Sequence, residues 1–125
     1  MLKKIGLAAV LLAAGAVPAF AQDTCQVPPM PASIDGSTAT ADQVRAGIKA
    51  VNDYQNSVET YKACLADYVT AQNAQADKDK KQHDATMIQA EGDKATAADA
   101  TKQKAVDGIN TTIAAFKAAH AKPTG

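Results

Sequence analysis

Apolar side chains along residues 44–69 recur at spacings that alternate between three and four residues. One series repeats every seven residues and comprises Val44, Val51, Val58 and Leu65. A second series follows three positions later and comprises Gly47, Tyr54, Tyr61 and Tyr68. Both series fall on one face of an α-helix with 3.6 residues per turn. The pattern therefore predicts one long helix with a single apolar seam, which Ile48 and Val69 widen.

A capping box marks the predicted beginning of this helix. The Thr40 hydroxyl can accept a hydrogen bond from the backbone of Gln43, whose side chain can accept one from the Thr40 N–H. Asp42 adds a negative charge near the positive end of the helix dipole. We therefore expect the helical part of the chain to begin at residue 40.

A second apolar stripe lies near the other end of the chain. Its members, Val106, Ile109, Ile113 and Phe116, are spaced by three, four and three residues. Between the two stripes, residues 70–105 are polar and rich in alanine, the strongest helix former. Frequent aspartate, which prefers caps and turns, argues against an uninterrupted helix. The sequence leaves open whether residues 70–105 form one helix, contain a turn or are disordered.

Neither stripe can stay exposed on an isolated helix, so each needs a partner surface. Folding the second stripe back on the first pairs Phe116 with Val44 and places the reversal at residues 77–82, within a cluster of charges. The alternatives are a reversal at Gly92 and one unbroken helix that dimerises. The prediction is an all-α fold in which residues 40–122 form a long antiparallel helical hairpin.

Residues 22–39 form a proline-rich segment that precedes the hairpin. The segment contains Pro28, Pro29 and Pro31, followed by the turn pair Asp35 and Gly36. Prolines at this density favour an extended, polyproline-like path. The fourteen residues from 26 to 39 would cover about 43 Å in a polyproline II helix, which rises 3.1 Å per residue. The helix from residue 40 to Cys64 covers about 36 Å. The segment can therefore run antiparallel along the first helix.

Residues 1–21 have the pattern of a cleaved export signal. Lys3 and Lys4 supply the positive start, residues 5–17 are apolar, and Ala21 ends a small-x-small cleavage site before Gln22. Thirteen apolar residues are fewer than the roughly 20 that span a bilayer. A retained N-terminal anchor is the alternative interpretation. We expect export to the bacterial periplasm, with no membrane span after cleavage.

The chain contains two cysteines, Cys25 and Cys64. An even number of cysteines in an exported chain favours a disulfide, and two cysteines allow one pairing. A bridge closing this loop stabilises the fold by about 4 kcal/mol on chain-entropy grounds. A redox or metal-binding pair is the alternative, but the two cysteines lack the C-x-x-C spacing that would support it. We expect the disulfide to staple the proline-rich segment to the first helix.

The amino-acid composition of the chain argues against several classes of protein function. Removing residues 1–21 leaves 104 residues with 11 basic and 13 acidic side chains. A slightly acidic chain without a basic stripe is a poor nucleic-acid binder. These 104 residues include 22 alanines but only 13 Leu, Ile, Val and Phe together. So few large apolar residues cannot enclose a deep pocket, which argues against an α/β enzyme, a β-sandwich or a barrel.

Residues 25–65 contain the pattern C-x2-P-x2-P, DG-x2-AT and Y-x2-C-L. Its positions are Cys25, Pro28, Pro31, Asp35, Gly36, Ala39, Thr40, Gln43, Val51, Tyr54, Tyr61, Cys64 and Leu65. In this pattern the chain resembles a group of small exported proteobacterial proteins of uncharacterised function. The resemblance implies an exported helical protein with a Cys25–Cys64 bridge. It implies no catalytic residues.

The sequence contains none of the usual catalytic or nucleotide-binding motifs, such as a P-loop, G-x-S-x-G or H-E-x-x-H. His83 has Asp79 and Met87 four residues away on either side, which on a helix would present possible soft-metal ligands on one face. A solvated polar face is the simpler interpretation. The three tyrosines at seven-residue spacing suggest either an aromatic ligand-binding strip or a packing seam, and we favour packing.

These observations lead us to expect a non-enzyme with no cofactor, no metal site and no nucleic-acid partner. Its role is predicted to be structural or protein-binding, with an unknown envelope protein or a second copy as partner. The alternatives are a periplasmic stress protein or chaperone and, third, a weak soft-metal binder. The residues predicted to form the helix seam and interaction surface are Val44, Val51, Tyr54, Val58, Tyr61, Leu65, Tyr68, Val106, Ile109, Ile113 and Phe116.

Overall fold

Two long helices account for most of the chain that the structure describes. A computed structural model describes residues 23–122. Helix α1 spans Ala41–Lys78 and helix α2 spans Ala85–Ala119, and residues 23–122 contain no strand. The predicted export signal, residues 1–21, and its cleavage site before Gln22 lie outside the described residues. The predicted all-α fold, a helical hairpin with an extended N-terminal segment, is confirmed.

The predicted capping box forms at the beginning of α1. The Thr40 hydroxyl accepts a hydrogen bond from the Gln43 N–H at 3.2 Å, and the Gln43 side chain accepts one from the Thr40 N–H at 2.8 Å. Two of the backbone donors that a helix start leaves without partners are thereby satisfied.

The reversal between the helices occupies residues 79–84, so the alternatives of a turn at Gly92 and of one unbroken helix are wrong. Lys80 has a φ of 53°, and the Lys81 N–H donates to the Ala76 carbonyl at 2.8 Å. This is a Schellman ending in which lysine takes the left-handed position that glycine usually fills. Asp84 caps α2 by accepting from the Met87 N–H at 3.0 Å.

The first apolar series forms the core as its spacing predicts. The buried residues of α1 are Val44, Gly47, Val51, Tyr54, Val58, Tyr61 and Leu65. On α2 the buried face differs from the predicted stripe, because the buried residues are Glu91, Ala98, Ala105 and Thr112. Val106, Ile109, Ile113 and Phe116 are only half-buried, although Val106 and Ile109 still pack against the core. Small side chains allow α2 to approach α1 closely, and the larger ones lie to the side.

A ring of four charged side chains joins the two helices near their middle. Lys62 lies 3.0 Å from Asp99 and 3.5 Å from Glu59, and Lys102 lies 2.6 Å from Glu59 and 3.3 Å from Asp99. Each lysine thus contacts one carboxylate on either helix. The ring sets α2 against α1 in an antiparallel register in which Lys62 faces Asp99 and Glu59 faces Lys102.

Residues 23–39, which we call the strap, lie along the groove between the helices. The Cys25–Cys64 disulfide joins the strap to α1, as predicted. The prediction that the strap follows the first helix is incomplete, because it also contacts α2. The Ile34 carbonyl accepts a hydrogen bond from the Thr112 hydroxyl at 2.7 Å, and Gly36 packs against the α2 backbone. The strap therefore closes one side of the hairpin.

Candidate functional site

The predicted seam residues lie mainly inside the molecule. In α1, six of the seven predicted positions are buried and Tyr68 is half-buried. All four predicted α2 positions are half-buried. The surface available to a partner is therefore formed largely by other side chains, which the strap and the start of α2 contribute.

An open cleft of about 630 Å³ lies where the first residues of the strap cross the hairpin. The disulfide fixes one wall, since Cys25 is bonded to α1. The opposite wall is the first part of α2, and Tyr61 and Tyr68 contribute from α1. The polar and charged residues that line it, besides the two tyrosines, are Asp23, Asp84, Thr86, Glu91 and Lys94.

Three charged groups meet in this cleft. The Lys94 ammonium contacts an oxygen of Asp23 and lies 2.9 Å from one oxygen of Glu91. The side chains of Asp23 and Glu91 are only 6% and 7% exposed, whereas that of Lys94 is 44% exposed. The two carboxylates thus lie beneath a lysine that reaches the solvent. None of the three was predicted as a site residue: Glu91 and Lys94 are one turn apart on α2, and Asp23 lies 71 positions before Lys94.

The pKa values in the cleft follow from these contacts. The Lys94 ammonium, with a smaller contribution from the Cys25 N–H, lowers the pKa of Asp23. Hydrogen bonds to Asp23 and then to Glu91 raise the pKa of Lys94. Burial raises the pKa of Tyr68, and the negative charges of Glu91 and Asp23 raise it further. The carboxylate of Asp23 and the ammonium of Lys94 are therefore charged at neutral pH.

Glu91 has one carboxylate oxygen without a partner. Oε1 contacts Lys94, while Oε2 is buried and has no hydrogen-bond donor among the described residues. A buried acceptor left without a donor costs about 1–3 kcal/mol, and more when it carries charge. Asp84 adds a third carboxylate to the lining. The cleft therefore carries three carboxylates and one ammonium.

A second groove of about 430 Å³ continues from the cleft along the strap. The two share Val27, Tyr61 and Lys94 in their linings. Tyr54 and Val58 line the second groove from α1, and small residues of α2 line it from the other side. From Tyr54 to Tyr68 the α1 wall extends about 21 Å at 1.5 Å per residue. The three tyrosines thus pack in the seam and also border a continuous groove.

Two exposed apolar side chains lie at the rim of this groove. Val27 is 71% exposed and Met30 is 47% exposed, and both belong to the strap. They line the second groove together with Pro28. The disulfide holds them in place without burying them.

The helical face considered as the alternative soft-metal site is absent, because Asp79 and His83 lie in the connection between the helices and not on a helix with Met87. His83 lies 2.8 Å from Asp77 instead. Residues 23–122 contain no group of three or more His, Cys, Asp or Glu side chains that could hold a metal ion. His120 caps the end of α2 and stacks on Phe116.

Comparison with protein-family models, with curated proteins and with solved structures gives no match. Within residues 23–122, neither helix is long and apolar enough to cross a membrane. The class that the structure itself defines is a disulfide-strapped helical hairpin with an acidic cleft at one end of a surface groove.

Proposed function

We propose that this chain is an exported, non-catalytic protein of the bacterial periplasm that binds an extended segment of a protein partner in the groove beside the strap. The observation that carries the proposal is the pair Val27 and Met30, held exposed at the groove rim by a covalent bond. An apolar pair at the edge of a groove is typical of a surface that a partner covers. The export pattern of residues 1–21 and the resemblance over residues 25–65 support the location, and a disulfide is compatible with it.

The shape of the groove supports an extended segment as the occupant. It is about 21 Å long by helical rise, which matches six or seven residues of extended chain at about 3.3 Å each. Half-buried Tyr68 and the exposed strap side chains Val27 and Met30 offer apolar contacts to a segment lying there.

Photo-crosslinking in the producing cell tests this proposal. We would place benzoylphenylalanine at position 27 and, as a matched control, at Ile48, an apolar side chain of α1 that is also exposed. We expect position 27 to capture a partner peptide and position 48 to capture none. Met30→Asp should reduce that capture at least fivefold while leaving far-ultraviolet circular dichroism unchanged. Equal capture at both positions, or capture only of a second copy of this chain, would contradict the proposal.

A periplasmic chaperone is the second candidate, because Val27 and Met30 would serve equally as a surface for unfolded clients. A chaperone suppresses aggregation of many unrelated chains, whereas a dedicated binding protein does not. Thermal aggregation of citrate synthase, measured by light scattering with the oxidised and the reduced protein, separates the two. Suppression that Val27→Asp abolishes would favour the chaperone, and no suppression in either redox state would remove it.

A further inference from the structure

We propose that the acidic cleft at Asp23 and Glu91 is a binding site for an organic cation, the guanidinium or ammonium group of a basic side chain on the bound segment. The inference rests on the proposed function, because it specifies what the occupant of the groove carries. The strap and α2 bring the two carboxylates together under Lys94. Nothing in the local sequence around either residue predicts this juxtaposition.

The acidic side chains of the cleft outnumber its basic side chains, so the cleft can accommodate a further cation. Three acidic side chains, Asp23, Asp84 and Glu91, line the cleft with a single basic side chain, Lys94. Oε2 of Glu91 is buried and has no donor in the described chain. Because Lys94 is 44% exposed, its side chain can shift toward solvent and open the carboxylates to the cleft. A donor that enters there satisfies Oε2 and offsets the excess negative charge.

The lining also defines the kind of cation. The volume of about 630 Å³ falls in the range of sites for organic ligands and is far larger than a bare ion requires. The sulfur of Cys25 is held in the disulfide, so no thiolate faces the cleft. Tyr68 offers an aromatic ring beside the carboxylates, and such rings attract guanidinium and ammonium groups. Two adjacent carboxylates match the several donors of a guanidinium group.

The position of the cleft connects this site to the groove. Val27, Tyr61 and Lys94 line both, so an extended segment along the groove places one side chain at the acidic end. A basic side chain there would be held by its charge, and the rest of the segment by apolar contact with the strap. The site would thus select a segment with Arg or Lys at one end and apolar residues along the rest.

The test compares two probes of nearly the same shape, one with a charged guanidinium group and one with a neutral ureido group. N-acetylarginine amide and the neutral N-acetylcitrulline amide are titrated into the oxidised chain beginning at Gln22, and binding is followed by two-dimensional NMR at low salt. We expect the arginine probe to shift the amide resonances around Asp23, Tyr68 and Glu91, with at least tenfold tighter binding than the citrulline probe. Equal binding of the two probes, or no shift in the cleft, would overturn the inference.

Three variants separate a cation site from a purely structural ion pair. Glu91→Gln should weaken binding of the arginine probe about tenfold, and Asp23→Asn is the replacement if that variant fails to fold. Glu59→Gln, which removes a carboxylate from the ring between the helices, should leave binding unchanged. Lys94→Met should tighten binding, because it removes the competing ammonium. A Lys94→Met variant that binds the probe more weakly would contradict the proposal.

The outcomes also distinguish this inference from the proposed function. Arginine binding in the cleft without a partner crosslinked at position 27 would sustain the cation site and refute the protein-binding role. A partner crosslinked at position 27, together with equal binding of the arginine and citrulline probes, would sustain the protein-binding role and refute the cation site. A third outcome is that the arginine probe binds only after the α-amino group of Gln22 has been acetylated. The cation that fills the cleft would then be the N-terminus of this chain and not a side chain of a partner. That result would overturn the inference.

Discussion

Replacing Gly36 by alanine should force the strap away from α2. A Cβ atom at this position would lie 2.8 Å from the carbonyl carbon of Thr112, 2.9 Å from the backbone nitrogen of Phe116 and closer still to the Thr112 carbonyl oxygen. All three are backbone atoms of a helix, so no side-chain rotation can relieve the contact. The turn of the strap must therefore move by an ångström or more.

The cost of that movement can be worked from the contacts it disturbs. Forcing one carbon into a filled contact costs about 1–3 kcal/mol. The hydrogen bond from the Thr112 hydroxyl to the Ile34 carbonyl lies next to the turn, and losing it costs about 1 kcal/mol. Alanine lowers the entropy of the unfolded chain, which offsets about 0.4–1 kcal/mol. We expect Gly36→Ala to lower the free energy of unfolding by about 2 kcal/mol.

Urea unfolding followed by circular dichroism measures this difference, and the chain supplies its own controls. Gly92 and Gly108 lie within α2, and a Cβ at either would meet no atom within 4 Å. Alanine at those positions should raise stability by about 0.5–1 kcal/mol, because glycine is a poor helix residue. Replacing glycine by alanine should thus lower the free energy of unfolding at position 36 and raise it at position 92. An unfolding midpoint for Gly36→Ala equal to or above the wild type would refute the packing of the strap against α2.

Three further substitutions and conditions test the fold. Replacing both Cys25 and Cys64 by alanine should lower stability by about 4 kcal/mol, as calculated for the loop that spans 39 positions, and should make the strap the first site of proteolysis. Lys80→Gly should raise the free energy of unfolding by about 1 kcal/mol, since glycine adopts the left-handed conformation without strain. The pKa values of Asp23 and Asp99 are lowered by their lysine partners, so their contribution to stability is complete above the unfolded pKa near 4 and is lost as the pH falls through the lower folded values. Urea midpoints should therefore be nearly constant from pH 7 to 5 and decline below pH 4.

Each of these expectations has a control. Wild-type protein treated with a reductant should match the double cysteine variant in both stability and proteolysis, and a stable reduced form would show that the bridge is dispensable. Lys81→Gly should not stabilise the chain, because Lys80 is the one non-glycine residue with positive φ among residues 23–122. Asp99→Asn should reduce the acid sensitivity, and an unchanged midpoint between pH 7 and 2.5 would contradict the role of the carboxylates.

The first helix could be predicted in detail because its core residues are large and regularly spaced. Val51, Val58 and Leu65 differ sharply from their polar neighbours, so a seven-residue repeat identifies their common face. The capping box at Thr40 likewise depends on residues three positions apart, which makes it a local signal. Features that local spacing determines are the ones that the sequence predicts well.

The buried face of α2 was harder to predict because it consists of alanine. Ala98 and Ala105 are buried, but alanine also occupies many exposed positions of this chain and therefore carries no pattern. Ile109 and Ile113 produce a clear stripe and yet remain half-buried, since close approach of the helices favours the smallest side chains. The close approach of Gly36 to α2 depends on the tertiary arrangement alone.

The buried position of Glu91 fits the spacing of the other buried residues of α2. Glu91 lies seven residues before Ala98, which lies seven before Ala105, so a carboxylate occupies a position of the same repeat as the buried alanines. A carboxylate in such a position lowers stability unless a cation compensates it, and Lys94 contacts only one of its two oxygens. A core with so few large side chains contributes only a few kcal/mol to the free energy of unfolding, on the order of 3–5 kcal/mol in small domains. The cost of burying Glu91 is therefore offset elsewhere, and the disulfide, which fixes the strap beside the acidic cleft, contributes about 4 kcal/mol on chain-entropy grounds. On this reasoning the disulfide stabilises the fold and also makes the cleft possible, because the apolar contacts alone would not compensate for burying a carboxylate.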